Sequence, residues 1–251
     1  MAAVTPPADE TPLEIVYRDD RLVVIHKPAG LLVHRSELDR HETRFAVQLL
    51  RDQIGQHVWP AHRLDRGTSG LLVFALDADT AGRLGAQFEA QTVDKRYLAV
   101  VRGHPPESGL IDHPLSRQRD AAEWVGTHTR SEPQPARTAY RRLATVELPF
   151  AVDRYPTSRY ALLEVAPETG RKHQIRRHLK HIAHPIIGDA TYGKGLHNRM
   201  FAAHVGSARL LLACTELWLD HPHSGARLHL HAPPAADFMA VIDALGWRDA
   251  L

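Results

Sequence analysis

The apolar positions of this chain group into short runs separated by polar turns, a pattern typical of a protein that mixes strands and helices. Residues 13–17 and 22–27 predict two short strands joined by a polar turn at 18–21. The apolar run at 71–76 follows a glycine directly and predicts a strand that is buried on both faces. Further strands are predicted at 95–103, 138–146, 159–165, 210–219 and 227–231.

Apolar residues at helical spacing predict the helices. These are expected near 44–54, near 81–88 with Asp77 or Asp79 as the capping residue, around 175–182, and over 234–246. Residues 104–136 are rich in proline, serine and charge, and strand-like sequence resumes on both sides, so they predict a long excursion rather than a domain linker. We expect a disordered tail at 1–12 and one domain over 13–251, with no separate RNA-binding domain before it.

Composition indicates an ordinary globular protein. The chain has 251 residues, of which 43% are hydrophobic, enough for a sizeable core. It contains no stretch near the roughly 18 apolar residues of a membrane span, and its first residues lack the pattern of a signal peptide. The single cysteine, Cys214, excludes an internal disulfide and lies in an apolar run, where a buried and inert thiol is expected. We therefore predict a cytoplasmic protein without a membrane partner.

Charge is unevenly distributed, although the formal net charge is only +2. No acidic residue occurs between Glu168 and Asp189, and the predicted helix there carries many cations. A helix of one sign predicts a phosphate-binding surface, whereas a solvated charge run usually mixes signs. The chain also has 18 histidines, but their densest set lies among lysines and arginines that would repel a metal ion, so we predict no metal. Histidines in a basic stretch are expected to tune affinity for a polyanion.

The strongest candidate chemistry lies at 62–70, immediately before the buried strand. There Asp65 stands between Arg63 and Arg66 in a polar loop that leads into the core. A carboxylate flanked by cations stays ionised near neutral pH, which is the form that a nucleophile or general base needs. The alternative is that Asp65 only caps a turn and pairs with Arg66. A second Leu-Asp-Arg at 38–40 has no buried strand behind it, so Asp39 is expected to be solvated or to face RNA.

The string His-Arg-Leu-Asp-x-x-Thr-Ser-Gly at 62–70 resembles the catalytic motif of the RluA-like pseudouridine synthases. Four other segments resemble that family in the expected order. Lys-Pro-x-Gly at 27–30 runs into Leu-x-Val-His, and Lys-x-Tyr occupies 95–97. Gly-Arg-x-His-Gln-Ile-Arg-x-His occupies 170–178, and Pro-Ile-Ile-Gly-Asp-x-x-Tyr-Gly occupies 185–193. The chain departs from the family at 212–214, where Leu-Ala-Cys stands in place of Leu-His-Ala.

The resemblance implies an α+β fold: a mixed, mostly antiparallel sheet with a central RNA-binding cleft and flanking helices. It implies catalysis without cofactor or metal, with Asp65 acting at the ribose and Arg176 pairing with Asp65. Tyr97 would stack on the target base, unless it is simply a core residue, and Arg63 would support the flipped-out base. Further RNA-contacting residues are expected to be Arg66, Arg171, Lys172, His173, Ile175, Arg177 and Leu212.

The implied reaction breaks the N1–C1′ bond of a uridine, turns the uracil and rejoins it through C5. Whether Asp65 adds to the sugar, adds to C6 or removes a C2′ proton stays open at this point. Strings at 34–40 and 53–57 resemble a branch of the family that acts on tRNA at position 65, in the T-arm stem. We therefore expect a tRNA partner, no obligate protein partner and a monomer. The alternatives are a synthase acting on ribosomal RNA, a non-catalytic RNA-binding module and a carboxylate hydrolase of nucleosides.

Overall fold

A computed structural model of the chain describes residues 11–34, 43–118, 132–152 and 154–251. Most of the predicted tail, the string around Asp39 and the middle of the predicted excursion at 104–136 lie outside the described residues. The strands are β1 Glu14–Arg18, β2 Leu22–Lys27, β3 Trp59–Pro60, β4 Ser69–Ala75, β5 Asp94–Arg102, β6 Ser108–Asp112, β7 Arg137–Leu148, β8 Ser158–Pro167, β9 Leu212–Asp220 and β10 Arg227–His231. The helices are α1 Ala46–Ile54, α2 Ala78–Glu89, α3 Gln174–His181, α4 Gly195–Val205 and α5 Ala236–Ala244.

All the described strands belong to one sheet, in the order β1-β2-β4-β9-β5-β8-β7-β6. β3 pairs with β4, and β10 pairs with β9. β4 and β9 run parallel to each other, and the other described pairs are antiparallel. The predicted α+β fold with a mixed, mostly antiparallel sheet is therefore confirmed.

Helices cover both faces of the sheet because its central strands are apolar on both sides. All residues of β4 are buried, as the run at 71–76 predicted. On one face, α1, α2 and α3 contribute buried side chains such as Leu50, Leu84 and Leu179 to the larger apolar cluster. On the other face, α4 and α5 contribute Phe201 and Phe238 to a second cluster. None of the helices in the described ranges is long and apolar enough to cross a membrane.

Three of the sequence predictions need correction. The excursion at 104–136 contains a strand, β6, which pairs with the first half of β7 at the end of the sheet. Its sequence does not alternate between polar and apolar residues, because Leu110 is apolar although it is exposed at this edge, while its neighbour Ile111 is buried. Helix α4 was not predicted, since its apolar residues do not form one clear stripe. The basic helix begins at Gln174, so Arg171 and Lys172 lie in the turn that leads into it.

The parallel contact between β4 and β9 is where the catalytic motif enters the sheet. Ser69 pairs with Ala213 and Gly70 with Cys214. Gly70 has φ +108°, and a Cβ atom there would lie 2.0 Å from the carbonyl oxygen of Cys214. Only glycine allows this close approach of two backbones. The motif's glycine therefore fixes the position of the preceding loop relative to β9.

Candidate active site

Asp65 lies in the loop that connects β3 to β4, and backbone hydrogen bonds hold this loop. The amide of Thr68 donates to the carbonyl oxygen of Asp65 over 3.0 Å, and the amide of Gly30 donates to that of Arg66 over 2.8 Å. The loop is thereby attached to the segment after β2. This geometry gives Asp65 a fixed backbone without using its carboxylate.

Lys27 strengthens the same attachment from below. Its side chain is fully buried, and its Nζ donates to the carbonyl oxygens of Pro28, Leu31 and Arg66 at 2.9, 2.7 and 3.2 Å. Burial lowers the pKa of Lys27 to about 7, with a further decrease from Arg209 and an opposing effect of Asp65. The lysine of the Lys-Pro-x-Gly string is thus a buried clamp beneath the loop that carries Asp65.

The side chain of Asp65 pairs with Arg176 rather than with Arg66. Arg176 Nη1 donates to Asp65 Oδ2 over 2.9 Å, while its Nε and Nη2 donate to the two oxygens of Asp189 over 2.7 and 2.9 Å. Asp189 also accepts hydrogen bonds from the amides of Thr191 and Tyr192. One guanidinium therefore bridges a fully buried carboxylate and the partly exposed carboxylate of Asp65, whose side chain is 21% exposed.

Electrostatics keep this network charged. Burial opposes the charged form of Arg176, but its hydrogen bonds to Asp189 and Asp65 outweigh that effect and raise its pKa. Burial alone would raise the pKa of Asp189, yet Arg176 and the amide of Tyr192 lower it. The sequence placed Asp189 in the segment at 185–193 that resembles the family, but it gave this residue no role. A further signal was its position as the first acid after the basic stretch that contains Arg176.

Tyr97 projects from β5 toward the same cleft and is 8% exposed. Burial raises its pKa well above the ordinary value, with smaller contributions from Cys214 and Asp65, so its hydroxyl stays protonated. Burial also raises the pKa of the Cys214 thiol to about 12. This agrees with the prediction of a buried and unreactive cysteine. Tyr97 and Leu212 both line the cleft.

His62, the first residue of the motif, has a structural position. Its Nε2 accepts a hydrogen bond from the amide of Val73 over 3.2 Å, and its ring stacks on Phe88 at 4.6 Å. Burial, with the nearby cation of Lys95, lowers the pKa of His62 to about 3. The imidazole is therefore neutral at physiological pH and serves as an acceptor for the strand that follows Asp65.

A cleft of about 640 Å³ brings most of the predicted site residues together. This volume lies within the range of about 300–1,000 Å³ that is usual for small-molecule sites, so a nucleoside can enter it. Nine predicted residues line it, namely Arg63, Asp65, Tyr97, Arg171, Lys172, His173, Ile175, Arg176 and Leu212. Residues from the sequence-distant segments 61–68, 95–97, 170–176 and 212 thus meet around one carboxylate.

Two predicted residues do not line this cleft. Arg66 is exposed and its Nε donates to the carbonyl oxygen of Gly30 over 3.1 Å. Arg177 donates to the carbonyl oxygen and the hydroxyl of Ser116 over 3.0 and 3.1 Å. Helix periodicity explains the second case, because neighbouring residues on α3 point about 100° apart and Arg176 takes the inward position. Both arginines donate hydrogen bonds to neighbouring segments of the protein, and their predicted contact with RNA stays a prediction.

Among the described residues, one group brings three potential metal ligands close together: Asp77, Asp79 and His223. These residues already have other partners. Asp77 caps α2 through the amide of Thr80 at 2.8 Å, and Asp79 pairs with Arg83 at 2.9 Å. The group lies outside the cleft and has the arrangement of a helix cap and surface ion pairs.

Comparisons with known proteins agree with the geometry of the cleft. A family model described as RNA pseudouridylate synthase matches residues 21–181. The chain is 48% identical over 239 residues to tRNA pseudouridine synthase C of Vibrio cholerae, which covers 95% of this chain and 98% of that protein. It is 48% identical over 235 residues to the protein of the same name from Pasteurella multocida, covering 94% and 97% of the two chains. The solved structure of human RNA Pseudouridylate Synthase Domain Containing 4 is similar with a TM-score of 0.70 and 27% identity, covering 93% of each chain.

Proposed function

The chain belongs to the RNA pseudouridylate synthase family, and we propose that it isomerises a uridine of tRNA to pseudouridine, with Asp65 as the group that acts on the ribose. The observation that carries the proposal is the pairing of Asp65 Oδ2 with Arg176 at 2.9 Å on the wall of a cleft of nucleoside size. The substrate class follows from the relatives of this length that are named tRNA pseudouridine synthase C.

Isomerisation needs a group that attacks or deprotonates the nucleoside, and Asp65 meets this need. Arg176 Nη1 donates to one of its oxygens, Oδ2, and the residue lines the cleft. The reaction moves no electrons out of the substrate and is close to thermoneutral, so it needs no redox group. A carboxylate held by a guanidinium can add to the sugar, add to C6 or remove a C2′ proton, and the proposal does not depend on which of these steps occurs.

Tyr97 and Leu212 are proposed to contact the uracil from the two sides of the site. A neutral tyrosine ring offers a flat surface on which a flipped base can stack, and Leu212 supplies an apolar floor. A uridine within a stem must leave the helical stack before it can reach Asp65. We assign Arg63, which is exposed at the mouth of the cleft, to the support of the displaced nucleotide.

The finer target is proposed to be uridine 65 in the T-arm stem. The strings at 34–40 and 53–57, which resemble the branch of the family that acts at this position, support the proposal. We also propose that the protein works as a monomer in the cytoplasm. A single chain supplies Asp65, Tyr97 and Arg176 to one cleft, so no second copy is needed to complete the site.

Release of tritium from tRNA labelled at C5 of uridine tests the proposal directly, because C5 loses its hydrogen when it becomes the glycosidic carbon. The purified protein should release one equivalent per tRNA, and Asp65→Asn should release none. A transcript with cytidine at position 65 should also release none. Release from that transcript would refute the position and keep the chemistry, release only from ribosomal RNA would change the substrate, and free uracil would indicate a hydrolase.

A further inference from the structure

His173 occupies an unusual backbone position beside Asp65. It precedes α3 with φ +55° and ψ +27°, in the left-handed region that a non-glycine residue rarely adopts. A side chain is strained in this region, so the surrounding structure must fix it. Its Nε2 lies 3.8 Å from Asp65 Oδ1, the carboxylate oxygen that Arg176 Nη1 does not contact.

The hydroxyl of Tyr192 connects His173 to Gln118. Gln118 Nε2 donates to this hydroxyl over 2.7 Å, Gln118 Oε1 lies 3.1 Å from it as an acceptor, and the hydroxyl lies 3.0 Å from His173 Nδ1. The donation from Gln118 Nε2 is the shorter of the two contacts with Gln118, and the hydroxyl keeps it when it gives its own proton to Nδ1. Nδ1 is then an acceptor, and the proton of the neutral imidazole is on Nε2, facing Asp65.

The carboxylate favours the same tautomer independently. If the proton were on Nδ1, the lone pair of Nε2 would face Asp65 Oδ1, which is electrostatically unfavourable. The ring of Tyr192 is also fixed, because the guanidinium of Arg176 lies 5.0 Å from its centroid. The carboxylate therefore selects an imidazole whose Nε2–H points at Oδ1 of Asp65, and the short contact of Tyr192 with Gln118 is compatible with this tautomer.

We propose that His173 is a positioning residue for Asp65, and that Tyr192 and Gln118 fix its tautomer so that Nε2–H orients Oδ1 toward the ribose. This inference rests on the proposed function. At 3.8 Å, Nε2 is beyond hydrogen-bond distance from Oδ1. The N–H therefore attracts the oxygen electrostatically and leaves its lone pairs unoccupied. The segment at 116–118, whose role the sequence left open, thereby acts on the catalytic carboxylate through Tyr192.

Protonation of His173 would disrupt this arrangement. Nδ1 would become a donor, and the hydroxyl of Tyr192 would have to reverse its hydrogen bond. Burial is the largest effect on the pKa of His173 and lowers it. Among the charged groups that face the imidazole, Asp65 and Asp189 raise this pKa, whereas Arg176 and Lys172 lower it. The neutral form is therefore the working form at neutral pH, and activity should decline on the acid side as His173 is protonated.

Three variants separate positioning from RNA contact. His173→Asn tolerates the left-handed backbone and keeps an acceptor near Tyr192, but its shorter side chain carries no N–H at the position of Nε2. We expect kcat for tritium release to fall by about 100-fold, as for a small misplacement of a catalytic group, with an unchanged KM for tRNA. His173→Gln can place an amide N–H near the position of Nε2 and should retain more of kcat than His173→Asn. Tyr192→Phe keeps the ring beside Arg176 and removes only the hydroxyl.

The Tyr192→Phe protein supplies a readout that a purely structural role would not change. Without its hydroxyl, Nδ1 binds a proton more readily, so the pKa of His173 should rise and the acid limb of kcat should move to higher pH. Nuclear magnetic resonance of ¹⁵N-histidine-labelled protein measures the tautomer and the pKa, with His173→Asn identifying the signal. Tyr155→Phe is the matched control, because Tyr155 is exposed and distant in sequence from the cleft residues.

Retention of kcat by His173→Asn, a rise in KM alone, or an unmoved pKa in Tyr192→Phe would each overturn the inference. Failure of the proposed function is recognised separately, because Asp65→Asn would then retain tritium release or the wild-type protein would show none. The resonance titration needs no activity, so it tests the hydrogen-bond chain in either case.

Discussion

At the scale of single residues, the site depends on a guanidinium shared by two carboxylates of different exposure. Asp189 is fully buried and holds Arg176 by two hydrogen bonds, while Asp65 accepts the third at the edge of the cleft. The inner carboxylate therefore positions the arginine, and the arginine positions the outer carboxylate. A single charged pair would leave Arg176 free to turn, whereas three hydrogen bonds define its plane.

Removing Arg176 should affect stability as well as activity. Arg176→Met leaves Asp189 buried without its cation, which should cost about 3–5 kcal/mol in the free energy of unfolding. The double variant with Asp189→Asn removes the unpaired charge and keeps an acceptor for the amides of Thr191 and Tyr192, so it should regain stability but not activity. Urea denaturation checks this, with Arg177→Met as the control. Equal losses in Arg176→Met and Arg177→Met would contradict the shared-cation account.

Lys27 should make stability depend on pH in a defined direction. Its pKa is about 7 in the folded protein and 10.5 for an ordinary exposed lysine, so the unfolded state binds more protons between these two values. Stability contributed by this residue therefore rises with pH across that window and is lower below pH 7. The unfolding free energy of the wild type minus that of Lys27→Met should increase from about pH 7 to pH 9. A difference independent of pH would refute a buried lysine of low pKa.

The sequence predicted the carboxylate, its arginine and the tyrosine, because each stands in a motif whose residue types are specific. It did not predict that Asp189 pairs with Arg176, since a partner that lies 13 residues beyond Arg176 across a loop leaves no periodic signal. His173 was identified only as a residue that contacts RNA. Its left-handed backbone and its tautomer depend on Tyr192 and Gln118, which come from other parts of the chain.

At the scale of elements, the junction of β4 with β9 determines where the loop of Asp65 is placed. Gly70→Ala would put a Cβ atom against the carbonyl oxygen of Cys214 at a positive φ, so the two strands would have to separate. We expect a loss of more than about 2 kcal/mol in unfolding free energy and a loss of activity. Gly82→Ala is the matched control, because Gly82 lies in α2 with open space around it and should gain up to about 1 kcal/mol. Equal stabilities of the two variants would contradict this role.

Strong patterns predicted the elements well, and weak ones did not. The buried strand β4, the hairpin of β9 with β10 and the helix cap at Asp77 match the sequence predictions closely. β6 was missed because an edge strand of five residues has one buried apolar side chain, Ile111, to mark it. The parallel contact of β4 with β9 could not be predicted, because strands so far apart in sequence carry no local signal of their pairing.

At the scale of the whole molecule, a net charge of +2 conceals a strongly basic cleft. Binding of tRNA should weaken steeply with salt, because cations of the cleft release counterions from phosphates. Lys172→Gln, which removes one cation from the cleft wall, should lower the slope of log K against log salt by about one. Arg248→Gln, at an exposed ion pair with Asp243, should leave the slope unchanged. An affinity that is flat between low and physiological salt would refute a phosphate-binding role for residues 171–180.

The most direct test of the central claim is carbodiimide-based mapping of pseudouridine in tRNA and ribosomal RNA from cells that lack this gene. We predict that a single signal in the T-arm stem of tRNA disappears in these cells. The wild-type gene should restore this signal, and the gene that encodes Asp65→Asn should not. Restoration of the signal by Asp65→Asn, or a map unchanged by loss of the gene, would contradict the account.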